Sequence, residues 1–271
     1  MRVLVTNDDG VAAPGIHHLA RAVVAAGHEV VVAAPMDDRS GSGAALGRLH
    51  VDEHIDVETF EIPGLEVPAF GVDGPPALAV LTGRLGGFGV PCDLVASGIN
   101  PGANTGRATL HSGTVGAALT AANFGISAVA VSLEPGDPMH WDTAAAFAVA
   151  AVDWLEDAPP RTVLNVNVPD RQLSDVAGVR RAELAPFGTV RAAIADADLP
   201  VGAPGTPGRL QMELRATGEE LPPDSDTALV MAGFVAVTEL VGIRAAAGDG
   251  ADRAGPGAVD HLEGLLLGRT A

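Results

Sequence analysis

The chain has 271 residues, 47% of them hydrophobic, which is enough to fill a sizeable core and makes disorder the wrong default. Sixteen basic residues against 34 acidic ones give a formal charge of -18, and that balance disfavours the broad phosphate-backbone contact of a protein that binds long DNA or RNA. A small phosphorylated ligand is compatible with it, provided a metal ion and backbone amides supply the positive field that the surface lacks.

Every basic residue is Arg. With no Lys, Schiff-base chemistry and lysine-dependent phosphate sites are excluded. Cys92 is the only cysteine, so no intramolecular disulfide forms, and its expected role is packing as a small hydrophobe beside a strand. No run of 18 apolar residues occurs and Met1 leads straight into an apolar stretch, so a soluble, cytoplasmic protein without membrane contact is expected.

The apolar run Arg2-Val3-Leu4-Val5-Thr6 reads as a buried central strand and empties into Asn7-Asp8-Asp9-Gly10. Successive side chains of a strand point to opposite faces, so Asp8 and Asp9 converge only if the chain leaves β geometry there, which Gly10 permits. A divalent cation is the natural agent to hold two adjacent carboxylates ionised; a solvated acidic turn is the plain alternative. Pro14 then opens a helix whose apolar residues Ile16, Leu19, Ala20, Val23 and Val24 recur at helical spacing until Gly27, and Glu29 to Pro35 is a second buried strand.

That βαβ unit belongs in a parallel sheet. The alternation continues with helices at 77–85, 114–123 and 143–155 and strands at 93–97, 127–132 and 162–166. The predicted fold is therefore α/β, a doubly wound, mainly parallel Rossmann-like sheet with ligand loops at the strand ends. Beyond Pro169 short candidate strands at 181–184 and 210–216 flank a Gly/Pro-rich stretch, followed by a last strand at 234–238. This pattern predicts a C-terminal β-hairpin-like extension. The expected organisation is a core at 1–170, an extension at 171–245 that takes part in subunit contacts, and a mobile tail at 246–271 with a short helix at 259–267.

Three further strand-end segments carry small polar residues. Arg39-Ser40-Gly41-Ser42-Gly43 lets backbone and hydroxyls approach a ligand, although Gly/Ser loops are also ordinary connectors. Ser97 to Gly106 offers Asn100 and Asn104, whose amides serve a hard cation or a phosphate without adding charge. Ser112-Gly113-Thr114 precedes an apolar helical pattern, which is the geometry for cradling an anion as well as for plain N-capping by Ser112.

Together these segments resemble the SurE family, the stationary-phase survival proteins, which are metal-dependent nucleoside monophosphate phosphatases. The matching residues are Val5-Thr6-Asn7-Asp8-Asp9-Gly10 with Ala13-Pro14-Gly15-Ile16, Ala34-Pro35 with Arg39-Ser40-Gly41, Ser97-Gly98-Ile99-Asn100 with Gly102 and Asn104, and Ser112 to Ala118, in the family's order; Leu164 to Pro169 also looks like its late core strand. The resemblance implies metal ligands at Asp8, Asp9, Ser40 and Asn100, with Asp8 and Asp9 catalytic, and phosphate binding at Asn104, Ser112, Gly113 and Thr114. It implies one Mg²⁺ or Mn²⁺ per subunit, a nucleoside monophosphate substrate, and a homodimer or homotetramer; the all-oxygen donor set makes zinc the poorer match.

The chain departs from the family pattern twice. His111 stands where the family has Tyr, and Asp73-Gly74-Pro75-Pro76-Ala77-Leu78 replaces Gly-Thr-Pro-Ala-Asp-Cys, changes that bear on substrate preference and subunit contacts. His111 is read as a pocket-wall residue, with donation to the leaving group as the sharper alternative. Two rivals stand beside the nucleotidase: a nucleotide- or metal-binding regulatory module without turnover, and a haloacid-dehalogenase-like phosphatase, which needs its two aspartates one residue apart and a lysine.

Overall fold

A computed structural model describes residues 1–47, 54–186, 190–198, 207–216 and 218–243. The tail from 244 onward, including the helix expected at 259–267, lies outside the described residues.

The opening apolar run forms β1 (Arg2–Thr6), followed by α1 (Pro14–Ala25) and β2 (Glu29–Pro35). Gly27 lies just past α1 at φ 93°, the left-handed conformation that closes helices and that glycine adopts without cost. The chain continues through β3 (Val57–Thr59), β4 (Ala69–Val72), α2 (Pro76–Arg84), β5 (Leu94–Pro101), α3 (Gly113–Asn123), β6 (Ser127–Leu133), α4 (Trp141–Glu156) and β7 (Val163–Val168). A 3-10 turn at Gly106–His111 leads into α3. Then come β8 (Val179–Arg181), β9 (Val190–Asp198), β10 (Arg209–Ala216), α5 (Asp226–Met231) and β11 (Val235–Leu240).

Nine strands form one sheet in the order β3-β4-β2-β1-β5-β6-β7-β11-β8. The strands from β4 to β7 pair in parallel, while β3 and β11 run antiparallel to their neighbours β4 and β7. Alternation along each strand decides which helix it meets. Val3 and Val5 of β1 join Val32 against Ile16, Leu19 and Val23 of α1 and Ala144 and Val152 of α4. Leu4 and Val31 face the other way, onto Leu78 of α2 and Val115, Ala117, Ala118 and Ala121 of α3. Buried on both sides, these strands must be almost continuously apolar, which is why they were readable in the sequence. Cys92 is buried as expected, in the second of these clusters.

β1 is where the chain reverses its direction of travel across the sheet, with β2 on one side and β5 on the other. A crevice opens at such a switch, outside the carboxyl ends of the strands. Asp8 and Asp9 follow β1 and Asn100 ends β5, so the topology delivers these candidates to one place.

The extension differs from expectation in register. Residues 179–181, not 181–184, form a strand, and it joins the main sheet beside β11. The hairpin partner of 209–216 is Val190–Asp198, antiparallel with a register shift between Gln211 and Met212. β9 was not foreseen because Val190-Arg191-Ala192-Ala193-Ile194-Ala195-Asp196-Ala197-Asp198 has almost no β-branched alternation to mark it. α5 was missed for a related reason: its start lies in the acidic, Pro-containing stretch that reads as a loop. Ser225 nonetheless caps it, accepting from the Ala228 amide at 3.4 Å.

Candidate active site

The acidic turn is closed by Asn7. Its side-chain oxygen accepts from the Gly10 amide at 3.2 Å and its amide nitrogen donates to the Gly10 carbonyl at 3.0 Å, while Gly10 takes φ 105°. This reciprocal clamp is the local device that takes the chain out of β geometry and leaves Asp8 and Asp9 side by side. Asp8 is buried, with the Gly113 amide donating to its Oδ2 at 3.1 Å and the Thr114 hydroxyl to its Oδ1 at 2.5 Å. The end of β1 and the start of α3 are thereby joined through one carboxylate.

Thr114 also reaches Asn100, its Oγ1 lying 3.4 Å from Asn100 Oδ1. Asn100 gets there because β5 does not stop at Ser97 as expected. It continues to Pro101 through a register shift between Ser97 and Asn100 against β6. Gly98 carries that shift at φ 131°, and a Cβ there would lie 2.3 Å from the Val131 carbonyl oxygen. The Asn100 amide nitrogen donates to the Gly102 carbonyl at 2.6 Å, which leaves the oxygen directed to the site.

Asp9 differs from Asp8 in having Oδ2 buried without a hydrogen-bond partner. Desolvation by burial, then the neighbouring Asp8 charge, then that of Asp38, push its carboxyl up to about 7 from 3.8. A carboxylate pair with one unserved buried oxygen is a donor set lacking its counter-charge, and a hard cation fits it. Among the described residues no three or more His, Cys, Asp or Glu side chains are grouped so as to hold a metal ion by themselves. A cation here would therefore lean on two carboxylates and on neutral oxygens such as Asn100 Oδ1.

Ser40 is placed less directly. The amide of its neighbour Arg39 donates to the Asp8 carbonyl at 2.7 Å, which pins the loop to the acidic turn. The Ser40 side chain is exposed, and its hydroxyl donates to Asp38 at 2.6 Å. Ser42 is the serine of this loop whose Oγ is buried, and that oxygen has no partner.

Ser112 caps α3, accepting from the Val115 amide at 3.1 Å. With Gly113 committed to Asp8 and Val115 to Ser112, the Thr114 amide is the donor of this first turn that neither serves. Gly113 and Gly116 are required by close approach. A Cβ on Gly113 would lie 2.6 Å from Asp8 Cβ, and one on Gly116 2.1 Å from the Gly43 carbonyl oxygen.

Asn104 is held from three directions. Its amide donates to Asn167 Oδ1 at 2.7 Å, its carbonyl accepts from Asn165 and Asn167 at 2.9 and 3.0 Å, and its side-chain nitrogen donates to Ser132 at 2.9 Å. Asn7, Ser132, Asn165 and Asn167 carry no site role in the sequence reading, and Ser42 enters it only as a hydroxyl of its Gly/Ser loop; two buried asparagines alternating with valines on a core strand were the available signal. His111 is exposed, and its carbonyl accepts from the Gly43 amide at 3.1 Å. A cleft of about 890 Å³ runs along the flank of α3 past Leu110, Gly116 and Thr120, and the carboxylate pair lies outside its walls.

The family model described as "Survival protein SurE" matches residues 3–191. A protein of Xanthomonas euvesicatoria pv. vesicatoria (strain 85-10) named 5'-nucleotidase SurE is 44% identical over 186 residues, covering 66% of this chain and 67% of that protein. The one from Xanthomonas axonopodis pv. citri (strain 306), of the same name, is 43% identical over 186 residues, with the same coverage of each chain. Among solved structures, the SurE protein from Aquifex aeolicus superposes with a TM-score of 0.71 at 28% identity, covering 89% of this chain and 93% of that one.

Proposed function

The chain belongs to the SurE family, and from that membership we propose that it is a 5'-nucleotidase, a phosphoric monoester hydrolase that cleaves nucleoside monophosphates to nucleoside and phosphate with the help of one Mg²⁺ or Mn²⁺. The observation that carries the site assignment is the junction of Asp8 with Gly113 and Thr114, because it sets an acidic turn directly against the first turn of a helix. Neither half suffices alone. With a surface this acidic, a phosphate monoester needs a local positive field, and a helix start supplies part of it.

In this reading Asp8 and Asp9 hold the cation, with Asn100 and Ser40 as neutral oxygen donors. The bound ion supplies Lewis acidity at the phosphoryl group. Ser112 and Thr114 receive the phosphoryl oxygens at the start of α3, where the Thr114 amide is without a competing acceptor, while the Gly113 amide serves Asp8 and the tightly held Asn104 fixes its own loop. Positioning of this kind, with donors aimed at the equatorial oxygens before reaction, is the main contribution a protein makes to phosphoryl transfer.

Residues 1–170 would then form the catalytic core and the extension would serve subunit contacts in a homodimer or homotetramer. Exposed Ile194, Leu210 and Met212 on the hairpin support that role. No helix among the described residues is long and apolar enough to cross a membrane.

The test is phosphate release from a panel of nucleoside monophosphates by the purified protein with Mn²⁺, Mg²⁺ or chelator. Metal-dependent release is expected. Stabilisation by nucleotide or metal without any release would instead mark a binding module.

A further inference from the structure

The loop that follows β2, residues 36–47, contains two serines, and the family pattern draws attention to Ser40. We propose that Ser42 is the loop's phosphate-facing hydroxyl, donating to an oxygen of the substrate's phosphoryl group. This inference rests on the nucleotidase reading of the site and adds a residue to it.

Three observations carry it. The Ser42 Oγ is buried and has no hydrogen-bond partner, whereas Ser40 already donates to Asp38. A Cβ built on Gly113 would meet Ser42 Oγ and Asp8 Oδ2 at the same distance, 2.7 Å. Those two oxygens therefore flank the same face of the first residue of α3, and Ser42 stands beside the carboxylate. Each Asp8 oxygen already accepts from α3, one from Gly113 and one from Thr114, and Ser42 makes no hydrogen bond to either.

The hydroxyl is also held in place. Arg39 donates to the Asp8 carbonyl, the Ser42 amide donates to the Arg39 carbonyl at 3.1 Å, and Gly43 donates to the His111 carbonyl. Gly116 lets the Gly43 backbone lie directly on α3. A buried hydroxyl without an acceptor is costly to maintain, and the backbone that carries it is pinned on both sides. An anion seated at the start of α3 supplies the missing acceptor. The Thr114 amide in the same first turn is served by neither Asp8 nor Ser112, so the ligand chemistry is a phosphate monoester or its inorganic phosphate product.

The experiment compares the native protein with Ser42→Ala in the presence of Mn²⁺. It reads the affinity for inorganic phosphate by calorimetry, the KM for a nucleoside monophosphate, and the rise in melting temperature caused by Mn²⁺ alone. Phosphate affinity should weaken about tenfold and KM should rise by a similar factor, since a hydrogen bond to a charged acceptor is lost. The Mn²⁺-induced rise should be unchanged, and the ligand-free protein should melt at the same temperature or higher. Unchanged phosphate affinity overturns the assignment. So does a reduced Mn²⁺ effect with phosphate affinity intact, which would place Ser42 on the metal side. A native protein that binds phosphate but releases none from nucleotides would count against the nucleotidase reading, and the calorimetric comparison would still decide the role of Ser42.

Discussion

The Thr114 hydroxyl donates to Asp8 Oδ1 at 2.5 Å, across 106 positions of sequence. This contact ties the end of the first strand to the start of α3 and turns two separate motifs into one site.

Replacing Asp8 with Asn is expected to abolish metal-dependent phosphate release, a loss of about 10²–10³ or more in kcat, since transition-state charge stabilisation is removed. One of the two donors from α3 would face an amide nitrogen instead of an acceptor, and a stability loss of about 1–3 kcal/mol should accompany it. Circular dichroism and steady-state kinetics check both effects. Full activity in a folded variant would reject the assignment.

Asp9 predicts a pH dependence. Below 3.8 both the folded and the unfolded chain keep its proton, so the group contributes nothing to the pH dependence there. Between 3.8 and about 7 the folded protein holds a proton that the unfolded chain has released, and stability falls as pH rises; above about 7 the loss is complete. A divalent cation competes with that proton. Manganese should therefore raise the melting temperature more at pH 8 than at pH 5.5, and Asp9→Asn should flatten the difference. Melting curves across pH, with and without Mn²⁺, provide the check.

Gly113→Ala should inactivate the protein without removing any functional group. The added methyl would stand 2.6 Å from Asp8 Cβ, a distance that forces either α3 or the acidic turn to move. Overpacking of this kind costs about 1–3 kcal/mol. The expected result is a modest drop in melting temperature alongside a large loss of activity, measured on the same preparation. Retention of activity would show that the junction tolerates displacement.

Asp226 is buried and accepts from the amides of Gly106 at 2.8 Å, Ala185 at 3.0 Å and Thr227 at 2.8 Å. It fastens the C-terminal extension to the turn that leads into α3. Asp226→Asn should destabilise the fold by about 1–3 kcal/mol by leaving a buried donor poorly served. Urea unfolding measures this directly. A midpoint equal to that of the native protein would mean that the anchor is redundant.

Much of this molecule was legible in its residues. Val3 to Val5 and Val30 to Val32 lie in strands covered on both faces, so burial alone made them apolar and readable. Asp8, Asp9 and Asn100 could be singled out as candidates because polar residues follow apolar strand runs there, although a solvated turn reads the same way in sequence. Less legible were contacts between distant segments. The start of α4 at Trp141 coincides with Asp170, beyond β7, accepting from the His140 amide at 2.7 Å. No local pattern announces such a partner. Ser40 and Ser42 stand in the same Gly/Ser loop, and composition alone could not tell which hydroxyl is buried.

What the sequence determined by itself is the layered α/β architecture and the set of polar residues at the strand ends, because periodicity and burial act on neighbours along the chain. Only the tertiary structure decided which of those residues meet. That Asp8 is served by Gly113 and Thr114, and that Ser42 rather than Ser40 is enclosed, depends on the crevice where β1 lies between β2 and β5. The positions of side chains across such a crevice follow from sheet order and helix packing, which no stretch of sequence records locally.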